Sequence, residues 1–187
     1  MKKVYPVEQN QIANIRKSIH HGTFGDRNEF LLLLLLNTAL RISDALTITV
    51  GMVRNKEFLE IIEMKTKKHK HFPMNIFLKD TINEYTKDME DNDFLFEARD
   101  KDKDGNSRPI SRMQAHRIFK EATEKVGLKN CAAHSWRKSY ARGLYEKTKD
   151  LSLIMRLLNH SSEAMTLKYL HLTEERDNER IMDFSLF

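Results

Sequence analysis

A chain of 187 residues, 40% of them hydrophobic, can bury one substantial core and is most simply a single domain spanning 1–187; six Gly and three Pro exclude a linker-dominated or low-complexity protein. With 32 Lys plus Arg against 27 Asp plus Glu the formal net charge is +5, a mild bias toward a polyanionic partner. A single cysteine, Cys131, excludes an internal disulfide, and with no CxxC metal pair the expected compartment is a reducing one, the cytoplasm.

The charge is segregated. Residues 87–106 hold eight acids and four bases, so the rest of the chain carries 28 bases against 19 acids. The apolar run from Phe30 to Leu36 covers seven residues, too short to span a bilayer, and MKKVYPVEQNQ lacks the apolar core of a secretory signal; no membrane partner is expected.

In chain order, Ile12, Ile15 and Ile19 recur at helical spacing until HGTFGD breaks the pattern with two glycines. Arg27 to Leu40 predicts a helix buried nearly all round, because six consecutive leucines leave no polar stripe. Its end delivers Arg41 to a junction with the next helix, ISDALTI, for which Ser43 or Asp44 is the expected N-cap. The period then changes. FLEIIEMK, from Phe58 to Lys65, is rich in β-formers, and KHFPMNI alternates Phe72, Met74 and Ile76 against His71, Pro73 and Asn75, which predicts an antiparallel hairpin with the basic tip TKKHK. Taken alone, Lys65, Lys67, Lys68 and Lys70 read as a solvated turn.

Leu78 to Met89 predicts a helix, followed by a strand-like FLF within the acidic loop. Ser111 and Gln114 have capping-box spacing, Ala115, Ile118, Phe119, Ala122 and Val126 mark one helical face, and Gly127 supplies the stop. Arg112, His116, Arg117 and Lys120 lie mostly off that face, as a solvated surface or a phosphate-facing stripe. The next helix opens near Ala133, with His134 and Arg137 on one face and Trp136 and Tyr140 on another. DLSLIMRLL gives an amphipathic helix capped by Asp150, and Ser161 or Ser162 caps a final short helix that carries Tyr169, nine positions after His160.

A neutral phenol is a poor nucleophile, so tyrosine attack on phosphorus needs a proton acceptor and a cationic cradle for the nonbridging oxygens. Arg41, Lys65, His134, Arg137, His160 and Tyr169 are residue types suited to that work, placed at helix ends, in the hairpin and on one shared helix face. For each histidine alone, a core or surface role is the simpler reading.

TALRISDALTI, EMKTKKHKHFPM, HSWRKSY and LLNHSSEAMTLKYL resemble, in order and spacing, the catalytic-domain boxes of the tyrosine recombinases, the phage-integrase and Xer-type family, over Pro6 to about Arg180. The resemblance implies a mainly α fold with a small antiparallel β-sheet (α+β) and a site-specific recombinase acting on double-stranded DNA without metal or high-energy cofactor. By it, Arg41 and Arg137 clamp the scissile phosphate, Lys65 protonates the leaving 5′-oxygen, and His134 accepts or relays the tyrosine proton. His160 hydrogen-bonds the phosphate, Asp44 supports the site, and Tyr169 forms a 3′-phosphotyrosine link. Lys67, Lys68 and Lys70 stay ordinary backbone-binding or solvated residues, with Arg112, His116, Arg117 and Lys120 as further DNA-contact candidates.

Trp136 stands where the family commonly has leucine, and Lys138 where it often has a second histidine; both leave His134 and Arg137 intact. The resemblance further implies a protein of bacteria or phages that is a homotetramer on paired sites and a monomer without DNA. The N-terminal core-binding domain of longer integrases is expected to be absent, leaving a compact catalytic-domain-only member or a fragment of a longer integrase. Residues 181–187 form an apolar tail that would dock on a neighbouring protomer or on their own core. The alternatives are a non-catalytic DNA-binding regulator with the same fold, and nicking-closing relaxation of supercoils.

Overall fold

Helix α2 (Gly25–Thr38) is the hydrophobic axis on which the first part of the chain is built. The computed structural model describes residues 7, 9–129, 131, 133–170, 172, 182 and 184–185. Leu31, Leu32, Leu34 and Leu35 have no exposed surface, and Phe30 stacks on Tyr85 with ring centroids 4.2 Å apart. Each fully buried leucine contributes on the order of 2 kcal/mol, so these four are a large part of the unit's core. Gly25 is required where α2 begins, because a Cβ there would lie 2.3 Å from the His20 carbonyl oxygen.

Helix α1 (Gln9–Ile19) buries Ile15 and Ile19, as its spacing predicts. Helix α2 ends two residues before the expected Leu40, because Ala39 turns into the left-handed region with φ 50°. The short α3 (Ile42–Ala45) follows, and here the expectation for its cap fails: Arg41, in extended conformation, is the N-cap residue, while Ser43 and Asp44 lie inside the helix. Asp44 is drawn elsewhere, its Oδ1 accepting from the backbone N–H of Met64 at 3.0 Å.

After a 3-10 turn (Val50–Met52), β1 (Phe58–Ile62) and β2 (His69–Pro73) pair antiparallel in the register Leu59 with Phe72 and Ile61 with Lys70. The hairpin is thus present, with β1 shorter than the predicted Phe58–Lys65. Its inner face is Leu59, Ile61, Phe72 and Met74, all buried. The alternation stops at Asn75, whose side chain accepts from Leu78 N–H at 2.8 Å and starts α4 (Ile76–Tyr85). Ile76 is consequently a first-turn helical residue, 73% exposed, rather than a further inward strand position. The FLF segment makes only an isolated bridge, Thr49 with Phe94, yet Leu95 and Phe96 are buried.

Ser111 caps α5 (Arg112–Lys125) by accepting from Gln114 N–H at 3.1 Å, and Gly127 takes φ 75° just past its end. Helix α6 (Ala133–Thr148) places Trp136, fully buried, against Phe119 of α5 at 5.3 Å. Asp150 caps α7 (Leu151–Leu158), Asn159 ends it in the left-handed region, and Ser162 accepts from Met165 N–H in the first turn of α8 (Glu163–Leu170).

The chain forms two compact units, Met1–Tyr140 and Ala141–Phe187. The second has its own small core of Ala141, Ile154, Leu158 and Leu170, against which Leu144, Tyr145, Leu151 and Tyr169 pack. Among the described residues no helix is long and apolar enough to cross a membrane. The tail 181–187 lies for the most part outside the described residues; within it Met182 and Phe184 are exposed.

Candidate active site

Two groups of the predicted site residues take shape, one in each unit. In the first unit the guanidinium groups of Arg41 and Arg137 arise from very different places. Arg41 sits at the α2–α3 junction with its side chain 18% exposed, and its Nη1 donates to Glu63 Oε1 at 2.5 Å, with Asp44 Oδ2 at 3.9 Å. Arg137, in the second turn of α6, is 4% exposed and its Nη1 donates to the carbonyl oxygen of Ala39. The left-handed turn at Ala39 therefore presents its carbonyl to one arginine and delivers the other two residues later.

His134, one helical turn before Arg137, is exposed at the start of α6. Partial desolvation and the positive charges of Arg137, His116, Arg41 and Lys138, in that order, lower its pKa from the ordinary histidine value. An imidazole so placed stays neutral, and so able to accept a proton, to lower pH than an isolated histidine. His116, on α5, contributes to this field, so of the α5 candidates it is one placed close to the cluster. Arg112, Arg117 and Lys120 are exposed; Arg117 and Lys120 have i,i+4 acidic neighbours, Glu121 at 3.9 Å and Glu124 at 3.7 Å. Surface pairs of this kind are weak and leave both side chains open to exchange for another anion.

The hairpin divides its lysines in an unexpected way. Lys65 lies in the turn after β1 and is exposed, as are Lys67, in the left-handed region, and Lys68. Lys70 departs from the solvated-turn reading. Its side chain is 13% exposed, its Nζ stands 3.9 Å from Glu63 Oε1, and it lies over the Phe72 ring at 5.8 Å. Burial first, then the charge of Arg137, pushes its pKa down to about 8, with Glu63 opposing and Arg41 adding to the shift. Glu63, 1% exposed, also accepts from the Thr66 hydroxyl at 2.6 Å, so the buried carboxylate is satisfied on every side by the hairpin and Arg41.

Glu63 was missed in the sequence, and Lys70 misplaced. The signal was the strand period: Leu59 and Ile61 point inward, so Glu63 does too, and Lys70 shares the face of Phe72 and Met74.

In the second unit, His160 and Tyr169 meet edge to face with ring centroids 5.2 Å apart. His160 Nδ1 is 3.0 Å from the Thr166 hydroxyl, which fixes the imidazole on α8's buried side. Tyr169 is half-buried against the Leu170 cluster. Among the described residues no group of His, Cys, Asp and Glu is arranged to hold a metal ion.

This fold is that of the tyrosine recombinase catalytic domains. It matches XerH site-specific recombinase bound to a difH substrate with a TM-score of 0.69 at 22% identity, over 96% of this chain and 55% of that one. It matches the Tn1549 transposon integrase in complex with circular intermediate DNA with a TM-score of 0.73 at 17% identity, over 99% and 68%.

The sequence profile of the phage integrase family matches residues 6–176, and the chain belongs to that family. Among its relatives, a protein described as a probable integrase/recombinase, YoeC of Bacillus subtilis, is 42% identical over 149 residues, 80% of each chain. The tyrosine recombinase XerD of Corynebacterium glutamicum is 28% identical over 180 residues, 89% of this chain and 56% of the relative. Against that relative and a protein described as a probable integrase/recombinase of Acholeplasma phage L2, of which 48% is covered, the chain spans about half the length.

Proposed function

We propose that this chain is a site-specific recombinase that cleaves and rejoins duplex DNA through a 3′-phosphotyrosine intermediate on Tyr169. The observation that carries the reading is the pair of guanidinium groups, Arg41 and Arg137, fixed by the Ala39 turn and Glu63 in a chain of the phage integrase family. Two forked donors so held suit the charge that grows on nonbridging oxygens in a pentacoordinate transition state.

In the proposed reaction the Tyr169 oxygen attacks phosphorus and the 5′-oxygen leaves. His134, kept neutral by its surroundings, takes the phenolic proton, Lys65 returns one to the departing oxygen, and His160 donates to the phosphate. Asp44 supports Arg41. The phosphotyrosine bond conserves the energy of the phosphodiester, so rejoining by the 5′-hydroxyl needs no nucleotide cofactor. Relatives and structural neighbours named as recombinases, some bound to DNA, support double-stranded DNA as the partner; pairs of sites brought together by a homotetramer, with a monomer free of DNA, fit the same chemistry.

The test is to incubate the protein with fragmented DNA from the organism that encodes it, recover protease-sensitive covalent adducts and sequence them. Adducts at a defined sequence, lost in Tyr169→Phe, are expected. No adduct from the wild-type protein, or undiminished adduct from the variant, overturns the reading.

A further inference from the structure

The inward-facing side of the hairpin brings a third cation to the two arginines. Lys70 lies opposite Ile61 in the strand register, and Glu63, two residues further along the same face, is its diagonal neighbour. The Glu63 carboxylate, buried to 1%, joins Arg41 at 2.5 Å and Lys70 at 3.9 Å. Arg137 and Arg41 both repel Lys70, and Asp44 and Glu63 attract it. Three cations and two carboxylates, all buried or half-buried, thus lie together, with Lys70 repelled by both arginines. An arriving phosphate would lower the repulsion among these three cations, as an anion site requires.

We propose that Lys70 is a further phosphate-contacting residue of this site, acting beside Arg41 and Arg137 on the scissile phosphate, and that Glu63 is the positioning residue that holds Lys70 and Arg41 in register. The inference rests on the recombinase reading. It differs from the role proposed for the exposed Lys65: Lys65 supplies a proton to the leaving oxygen, whereas Lys70 stabilises charge on the phosphoryl group and needs to remain protonated while it does so.

The DNA site recovered from wild-type adducts provides the substrate, as a nicked suicide duplex, with cleavage measured below enzyme saturation from pH 7 to 9.5. Lys70→Met keeps the side-chain volume and removes the charge. It is expected to slow cleavage at pH 7 by about a hundredfold with its thermal midpoint not lowered, whereas Lys70→Arg keeps activity within about tenfold of wild type and flattens the alkaline limb. Glu63→Gln removes the charge that favours protonated Lys70, so its alkaline limb moves to lower pH, a displacement that a purely structural role would not cause.

Lys70→Met within about threefold of wild type at pH 7, or Lys70→Arg as slow as Lys70→Met, overturns the proposal. A wild-type protein that forms no adduct instead removes the recombinase reading beneath it, so the two failures are separable.

Discussion

The cation cluster of the first unit and the His160–Tyr169 pair of the second, which carries the proposed nucleophile, are built on different principles. Arg41, Arg137, Lys70, Asp44 and Glu63 are locked by ion pairs and a backbone carbonyl within a unit whose axis is the buried leucine run of α2. Tyr169, on the eight-residue α8, meets the His160 ring edge to face, and His160 lies beside the Thr166 hydroxyl, over a core of four fully buried side chains. The difference teaches where stability and activity are coupled. In the cluster the side chains proposed to be functional are also structural ones; on α8 the phenylalanine variant removes the phenolic hydroxyl and keeps the ring.

Tyr169→Phe should show the contrast most sharply: adduct formation falls to background while the thermal midpoint stays within about 2 °C of wild type, as followed by gel assay and calorimetry. Arg137→Ala is next. It should lower the cleavage rate by about a thousandfold and also destabilise the fold by about 2 kcal/mol, because the buried Ala39 carbonyl loses its donor. Equal stability losses in the two variants would erase the distinction between the regions.

The pH response sharpens it further. A proton acceptor must be neutral to work, and the folded environment lowers the His134 pKa, so the acid limb of the rate should lie below the ordinary histidine value of about 6.5. His134→Gln should remove that limb and about a hundredfold of rate.

Lys70 yields a stability test with a defined sign. Its folded pKa of about 8 lies below the unfolded 10.5, so between those values the unfolded chain binds more protons and stability rises with pH. Below pH 8 the penalty is fully present. Lys70→Met should therefore raise the denaturant-derived stability at pH 7 by about 1–3 kcal/mol, a gain that vanishes toward pH 10.5. The smallest effect is expected at Arg117, exposed on α5: Arg117→Ala should weaken DNA binding by less than about tenfold and reduce its salt slope by about one, leaving cleavage at saturation unchanged.

Much of this organisation is legible from residue order. Periodicity locates α1, α2, α5 and α7, and the break after the leucines puts Arg41 at a helix junction, where the structure has it. Local chemistry identifies the Ser111 and Asp150 caps because those side chains act on N–H groups three residues away. What sequence order hides is long-range competition. Asp44 reads as a cap, yet Met64, twenty residues on, claims its carboxylate. Lys70 reads as part of a solvated basic run because composition outweighs alternation when four lysines crowd a turn, whereas the strand face decides its burial. Ile76 errs the other way, since alternation was extended past the point where Asn75 redirects the backbone.

The bond between Arg137 and the Ala39 carbonyl ties together positions 98 residues apart. During synthesis the ribosome releases α2 and the hairpin long before α6, so the emerging polypeptide holds Arg41 without its companion and without Tyr169. On the recombinase reading, a product that ends before Arg137 therefore lacks half of the proposed guanidinium clamp as well as the proposed nucleophile, and should form no covalent link to DNA.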